Sequence, residues 1–249
     1  MSTGRRIWVL GATSAIAHAY ARRRAEEGAS LVLLGRNEVH LRANAADLIA
    51  RGARVASVRC VDLARPPDYD ALVSDLASSE GPPDEVLIAY GTLEQGGRAV
   101  GDLAYARDLI ETNFTSVACW LLAYIARWDH SQPLTLIVVG SVAGDRGRAR
   151  NFVYGSAKGG IDRFLEGLQQ AYAGTKLRVV RVKPGFVDTP MTADIAKAGP
   201  LWTTPDRVAA DIKRAADRGH AVIYTPWFWW PIMIIIRHLP RFVFHRLKI

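Results

Sequence analysis

Three side chains in this sequence have types and spacing that suit proton transfer. Ser141 precedes Tyr154 by 13 residues, and Lys158 follows Tyr154 by four. Four residues is about one helical turn, so a helix through this stretch sets Tyr154 and Lys158 on one face. A tyrosine hydroxyl titrates near pH 10 in water, too high to exchange protons readily at neutral pH, and a nearby ammonium lowers that value by favouring the phenolate. A serine at the end of a central strand can hydrogen-bond an oxygen on which charge develops. The chemistry these three residues suit is acid/base catalysis at a carbonyl or carbinol.

Such a group needs rigid elements to hold it, and the hydrophobic pattern supplies them. Apolar runs of strand length fall at 7–10, 30–34, 54–60, 85–89, 134–139, 177–182 and 221–224. Segments of helical period lie between them at 15–27, 39–50, 68–78, 102–128, 152–173 and 205–218. Strands alternating with helices predict an α/β fold of the Rossmann type. The expected form is a doubly wound sheet of about seven parallel strands with helices on both faces, followed by an apolar, basic C-terminal tail. One catalytic and dinucleotide-binding domain is expected over 1–226, with the tail at 227–249.

A cofactor site is legible at the first strand end. There Leu10-Gly11-Ala12-Thr13-Ser14-Ala15-Ile16 runs through small residues into a helix, so amides and the helix dipole can face a pyrophosphate. A plain strand-to-helix turn would look similar. Asp62, after the third strand, could accept from an adenine amino group or sit solvated in a loop. The second strand ends Gly35-Arg36-Asn37, where NAD sites usually present an acid. A guanidinium there can pair with a 2′-phosphate, so Arg36 favours NADP(H) over NAD(H).

Taken together, Gly11 to Ala17, Asp62, Asn113, Ser141, Tyr154, Lys158 and Pro184-Gly185 with Thr189 resemble the short-chain dehydrogenase/reductase family over residues 5 to 226. The resemblance implies that Tyr154 is the acid/base and that Lys158 also holds the nicotinamide ribose. It further implies that Asn113 anchors a proton-relay water from a distorted helix. Implied cofactor contacts are Gly11, Thr13, Ser14, Ala15, Ile16, Asp62, Leu63, Tyr90, Gly91, Tyr154, Lys158, Pro184, Gly185, Val187 and Thr189. Two departures stand out: Ala15 and Ala17 replace glycines of the turn, and Ala89-Tyr90-Gly91-Thr92 replaces an Asn-rich segment. Within the family, Arg150 to Lys158 and the ending from Arg237 most resemble the polyprenylphosphoryl 2-keto-pentose reductases. That likeness implies a lipid-linked furanose ketone as substrate and an oxidase of the same pathway as a partner.

Charge and composition narrow the alternatives. The formal net charge is +8 from 32 basic and 24 acidic residues, and Arg237, Arg241, Arg246 and Lys248 supply half of that excess. No zinc spacing, RNP-like strand or basic recognition helix accompanies it, which argues against nucleic acid. The six histidines form no metal-ligand spacing. The two cysteines, Cys60 and Cys119, are expected as buried free thiols. No secretory signal opens the chain, so the catalytic body is expected on the cytoplasmic side. From Ala221 to Ile236 run 16 uncharged residues with an aromatic cluster, short of the roughly 20 that span a bilayer. This tail suits a membrane surface or packing on the protein's own core or on a second copy. Arg146, Arg148 and Arg150, between Ser141 and Tyr154, either meet a lipid phosphate or are solvated. Competing readings are a membrane-associated ketoreductase of fatty acyl or steroid-like carbonyls and a catalytically silent dinucleotide sensor.

Overall fold

The computed structural model of the protein describes residues 4–197 and 199–247. Seven strands form one parallel sheet: β1 (Arg6–Leu10), β2 (Ser30–Gly35), β3 (Val55–Cys60), β4 (Glu85–Ile88), β5 (Leu134–Val139), β6 (Leu177–Pro184) and β9 (Val222–Thr225). Their order is β3-β2-β1-β4-β5-β6-β9. A short pair, β7 (Phe186–Val187) and β8 (Trp202–Thr203), lies in the excursion after β6.

The alternation of side chains along a strand explains why these runs are apolar throughout. In β1, Ile7 and Val9 enter one hydrophobic cluster, while Trp8 and Leu10 enter the other. Both faces are covered over Ile7–Leu10, so those four positions are apolar, while Arg6 at the start of the strand reaches the surface. One face is closed by α1 (Ala15–Ala25), α2 (Glu38–Ala50) and α7 (Pro205–Arg218), whose Val208, Ala209 and Ile212 are fully buried. The other is closed by α3 (Tyr69–Glu80), α5 (Ser116–Arg127) and α6 (Phe152–Ala171) through Leu76, Trp120, Leu121, Ile161 and Leu165.

The chain winds outward from β1 to β3, then crosses back to place β4 on the other side of β1. That reversal opens a crevice at the carboxyl ends of β1 and β4, where α/β sheets bind ligands. Beneath the opposite end, Arg24 and Glu85 form a buried ion pair (2.8 Å) that also takes the Tyr20 hydroxyl.

The expected helix 102–128 is instead α4 (Leu103–Ile110), a π-helical turn (Glu111–Thr115) and α5. Cys60 is exposed and Cys119 only partly buried, contrary to the expectation of buried thiols. Cys60 ends the edge strand β3, whose outer side has no neighbouring strand among the described residues. The tail folds as α8 (Trp229–His238) and a short α9 (Arg241–Phe244).

Candidate active site

The cofactor crevice is built around Gly11. Its φ is +84°, a region costly for residues with a Cβ, and a Cβ there would stand 2.8 Å from the Tyr90 amide nitrogen. Gly11 and Ala12 donate their amides to the Leu34 carbonyl (3.0 and 3.1 Å), which closes the turn. Asn44 of α2 braces it by donating to the Ala12 carbonyl (2.9 Å). Ser14 is the N-cap of α1 and makes no side-chain cap, so the first amides of α1 keep their donors for an anion. Ile16 turns its side chain into the core, leaving its backbone to the turn. Thr13 is exposed, as is Arg36, which pairs with no acid among the described residues.

Asp62 accepts from the Ala64 amide (3.0 Å) and stays partly exposed. Its neighbour Leu63 is buried, and its carbonyl takes the Trp120 indole N–H (2.8 Å), which fixes this corner of the crevice. Tyr90 departs from the expected contact set as far as its side chain goes. Its hydroxyl bonds Ser116 (2.9 Å) within the core, and burial pushes its titration far above the ordinary range. What Tyr90 offers the crevice is backbone.

The catalytic candidates converge at the carboxyl end of β5. Ser141 follows that strand directly and opens a 3₁₀ turn (Val142–Asp145), its hydroxyl accepting from the Ala143 amide (3.1 Å). Tyr154 and Lys158 sit one turn apart on α6, both buried, with the Lys158 ammonium 5.8 Å from the Tyr154 ring centre. Lys158 Nζ donates to the Val139 carbonyl (3.2 Å), and no carboxylate among the described residues pairs with it. Burial lowers Lys158 to about 8. Burial raises Tyr154 to about 12, with the Ser141 hydroxyl pulling the other way. The sequence argument expected the ammonium to lower the phenol. In this enclosed site desolvation outweighs it, and the same desolvation weakens the lysine's own charge.

Asn113 lies in the π-helical turn and is fully buried. The extra residue in the turn disturbs the helix ladder, and Asn113 repairs it by donating to the Leu109 carbonyl (2.9 Å). It also donates to the Thr92 carbonyl (2.9 Å) and accepts from the Thr92 amide (3.3 Å). A methyl on Gly91 would stand 2.6 Å from Asn113 Oδ1 and 3.5 Å from Lys158 Nζ, so this loop closes directly over the catalytic group.

The segment after β6 borders the same space. Gly185 donates to the Thr225 carbonyl (3.1 Å), Val187 is buried in β7, and Thr189 opens a 3₁₀ turn held by Thr192. Under this segment Lys183 bonds Asp145 (2.6 Å) and Asp162 (2.9 Å), and Tyr224 bonds Asp145 (2.8 Å). Burial alone would lower Lys183, but the two carboxylates raise it, so the ammonium stays charged. This network ties β6, β9, α6 and the turn after Ser141 together, and no spacing in the sequence announces it.

With this geometry, the similarities of the chain fall into place. The short chain dehydrogenase profile matches residues 5–199. The chain belongs to that family. It is 38% identical to an uncharacterized oxidoreductase of Mycobacterium tuberculosis over 96% of this chain and 95% of the relative. An uncharacterized oxidoreductase of Streptomyces coelicolor is 37% identical over 98% and 96%. A cis-4-hydroxycyclohexanecarboxylate dehydrogenase of Sinomonas cyclohexanicum is 30% identical over 75% of each chain. An archaeal alcohol dehydrogenase from Thermococcus sibiricus, complexed with 5-hydroxy-NADP, shares the fold with a TM-score of 0.78 at 19% identity, covering 88% of this chain and 95% of that one. The short-chain dehydrogenase described here is an NAD(P)(H)-dependent oxidoreductase. The crevice fits such a cofactor: Gly11 clears the backbone approach, α1 offers free amides, and Lys158 keeps two ammonium donors beyond its bond to Val139.

Two of the three arginines expected to meet a substrate phosphate are engaged elsewhere. Arg146 donates to the carbonyls of Ile236 and Leu239 at the end of α8 and lies 3.7 Å over the Phe244 ring. Arg148 reaches Met233 Sδ (3.4 Å). The short loop faces the tail, so Arg146 caps α8 and Arg148 packs against its middle. Arg150 is exposed. Sequence reasoning also missed Glu94, a buried carboxylate accepting from the Tyr154 amide (3.1 Å).

Proposed function

We propose that the protein is an NADP(H)-linked ketoreductase acting on the C2 ketone of a polyprenylphosphoryl pentofuranose at the cytoplasmic surface of a membrane. The observation that carries this reading is the group formed by buried Tyr154, Lys158 and Asn113 with half-buried Ser141, lying beside a tail with an exposed apolar face. The turn Gly11 to Ile16 would hold the pyrophosphate, Arg36 the 2′-phosphate, Asp62 the adenine and Lys158 the nicotinamide ribose. Pro184, Gly185, Val187 and Thr189 would border the nicotinamide. When bound, the reduced cofactor supplies the hydride. Tyr154, held neutral at physiological pH by its raised pKa of about 12, donates its hydroxyl proton to the carbonyl oxygen as that oxygen becomes an alkoxide. Ser141 donates a hydrogen bond to the same oxygen. Solvent would replace the Tyr154 proton, relayed past the Lys158 ammonium, while Asn113 holds the turn beside it through its bonds to Leu109 and Thr92.

The tail supports a lipid-linked substrate. Trp227, Trp230, Ile235 and Phe242 are 57% to 70% exposed. Arg237, Arg241 and Arg246 are exposed beside them; Lys248 lies outside the described residues. Aromatics favour the headgroup boundary and cations favour anionic lipid. Exposed Phe186, Met191 and Ile195 near the site favour a second reading, an acyl or steroid-like ketone. Reduced-nicotinamide absorbance, followed with farnesylphosphoryl 2-keto-pentofuranose and with 2-decalone, decides between them. The first reading expects turnover of the sugar ketone in preference to the decalone. Turnover of the decalone alone would overturn it.

A further inference from the structure

Tyr154 is the third residue of α6, in the first turn, where a helix has unpaired amides and tends to fray. An acid/base residue at that place needs an outside hold. The N-cap residue, Asn151, makes no side-chain cap. The bond that an N-cap side chain would make to the third amide is made instead by Glu94, 60 residues upstream, whose Oε2 accepts from the Tyr154 N–H (3.1 Å). Glu94 is 7% exposed, and a carboxylate facing a helix N-terminus is favoured by the helix dipole. The cap of the catalytic helix therefore comes from another segment and lands on the amide of the catalytic residue itself.

That segment is fixed on both sides of Glu94. Asn113 donates to the Thr92 carbonyl (2.9 Å) and accepts from the Thr92 amide (3.3 Å). The Tyr105 hydroxyl donates to the Leu93 carbonyl (3.3 Å) and accepts from the Gln95 amide (2.8 Å). Just before them Gly91 lies against Asn113 and Lys158, so the strap that borders the cofactor crevice also carries the carboxylate that holds α6. On its other side α6 meets the turn after Ser141 through glycines. A methyl on Gly144 would stand 2.7 Å from the Lys158 carbonyl oxygen, and one on Gly155 3.0 Å from that of Ala143. Two such smooth backbone surfaces set how close α6 comes to Ser141, but they interlock little and resist sliding poorly. The Glu94 bond stops that motion at the end of α6 where Tyr154 sits.

We propose that Glu94 is a positioning residue for the acid/base: its carboxylate, accepting from the Tyr154 amide, sets the place of the Tyr154 hydroxyl between Ser141 and the nicotinamide end of the crevice. It acts through the reach of its side chain and not through its charge, and it acts on Tyr154 and not on the substrate. The inference rests on Tyr154 as the acid/base and on no particular ketone.

The test compares the full chain with Glu94→Gln, Glu94→Asp and Glu94→Ala, using NADPH with farnesylphosphoryl 2-keto-pentofuranose and with 2-decalone, and records the melting temperature of each protein. Glutamine keeps the reach and an accepting oxygen but loses the charge. Aspartate keeps the charge and is one methylene short. Glu94→Asp and Glu94→Ala should lower kcat by about ten- to hundredfold, the scale of a misplacement of about 1 Å. KM and the NADPH dissociation constant should change little, because Asn113 and Tyr105 still hold the strap. Glu94→Gln should stay close to the unsubstituted chain. NMR of tyrosine isotopically labelled at its phenol carbon, with the Tyr154 signal assigned by its absence from Tyr154→Phe, should show that signal displaced in the aspartate and alanine variants and in place in the glutamine variant. A lower melting temperature with kcat and the Tyr154 signal unchanged would make Glu94 a helix cap alone and overturn the inference. Full activity in Glu94→Asp with loss in Glu94→Gln would overturn it too, as the mark of an effect of charge. If the unsubstituted chain reduces neither ketone, the two substrate readings fail and the Tyr154 signal still decides this inference. Near-normal turnover by Tyr154→Phe would overturn the acid/base reading and the inference with it.

Discussion

Replacing Lys158 by Met removes a buried charge from the catalytic group, and the account expects the protein to lose activity while gaining stability. Burial takes the lysine from 10.5 to about 8, and 2.5 units at about 1.4 kcal/mol each is about 3 kcal/mol. Below pH 8 the ammonium is charged in both folded and unfolded chains, and the folded state bears that full cost. Between pH 8 and 10.5 the unfolded chain binds the proton and the folded chain does not, so wild-type stability rises with pH through this window. Met fills a similar volume and carries no charge, but it leaves the Val139 carbonyl without its donor, an offset of about 1 kcal/mol. The cofactor-free variant should therefore be about 2 kcal/mol more stable than wild type at pH 6.5. Above pH 10.5 the advantage should be gone. Urea unfolding of both proteins at pH 6.5, 8.5 and 10.5 measures this. A variant less stable than wild type at pH 6.5, or a difference that does not change with pH, would refute the assignment of Lys158 as a desolvated, unpaired ammonium.

Arg36→Ala should weaken NADPH by about 1.5 to 3 kcal/mol and NADH much less, as titrated by cofactor fluorescence; equal losses would remove Arg36 from the 2′-phosphate. Lys183→Ala leaves the buried Asp145 carboxylate without its cation, although Asp162 keeps Arg181 (3.2 Å), and should cost about 3 to 5 kcal/mol of stability at pH 7. That deficit should shrink in acid, where the carboxylates can protonate. The combined variant Trp230→Ser and Ile235→Ser, altered on the exposed face of α8, should keep its fold and lose co-sedimentation with anionic liposomes. Unchanged binding would take that face off the membrane. Truncation after Tyr224 is a poorer test, because it also strips Trp229 and Met233 from their cluster with Val142, the residue next to Ser141.

The sheet was legible because its central strands β1, β2, β4 and β5 are largely buried apolar runs between helical segments, and each of the seven expected strands is present within a few residues of its place. The pairing of Tyr154 with Lys158 followed from helical spacing alone. Three features did not follow, each because it depends on contacts between distant segments. The π-helical turn at Asn113 carries no mark in the residues themselves, which suit an ordinary helix, and only the family resemblance implied a distortion there. The partners of Arg146 and Arg148 are on α8, about ninety residues away in sequence, so a cation-rich loop read as either a phosphate site or a solvated one is in large part a clasp on the tail. The direction of the Tyr154 shift depends on how completely α6 is enclosed, which the neighbouring residue types do not reveal. The tail fills one of the expected roles, since Trp229 and Met233 cover the protein's own core, and it leaves Trp227, Trp230 and Ile235 facing outward.

The most direct test of the central claim is a transfer experiment with NADPH deuterated at the reactive nicotinamide carbon and farnesylphosphoryl 2-keto-pentofuranose, in wild type and Tyr154→Phe. Mass spectrometry of the product should find one deuterium at C2 with wild type. Tyr154→Phe, which still binds cofactor, should form that product at least about a hundredfold more slowly. Product formed without deuterium at C2, or formed at near-normal rate by the phenylalanine variant, would contradict the account.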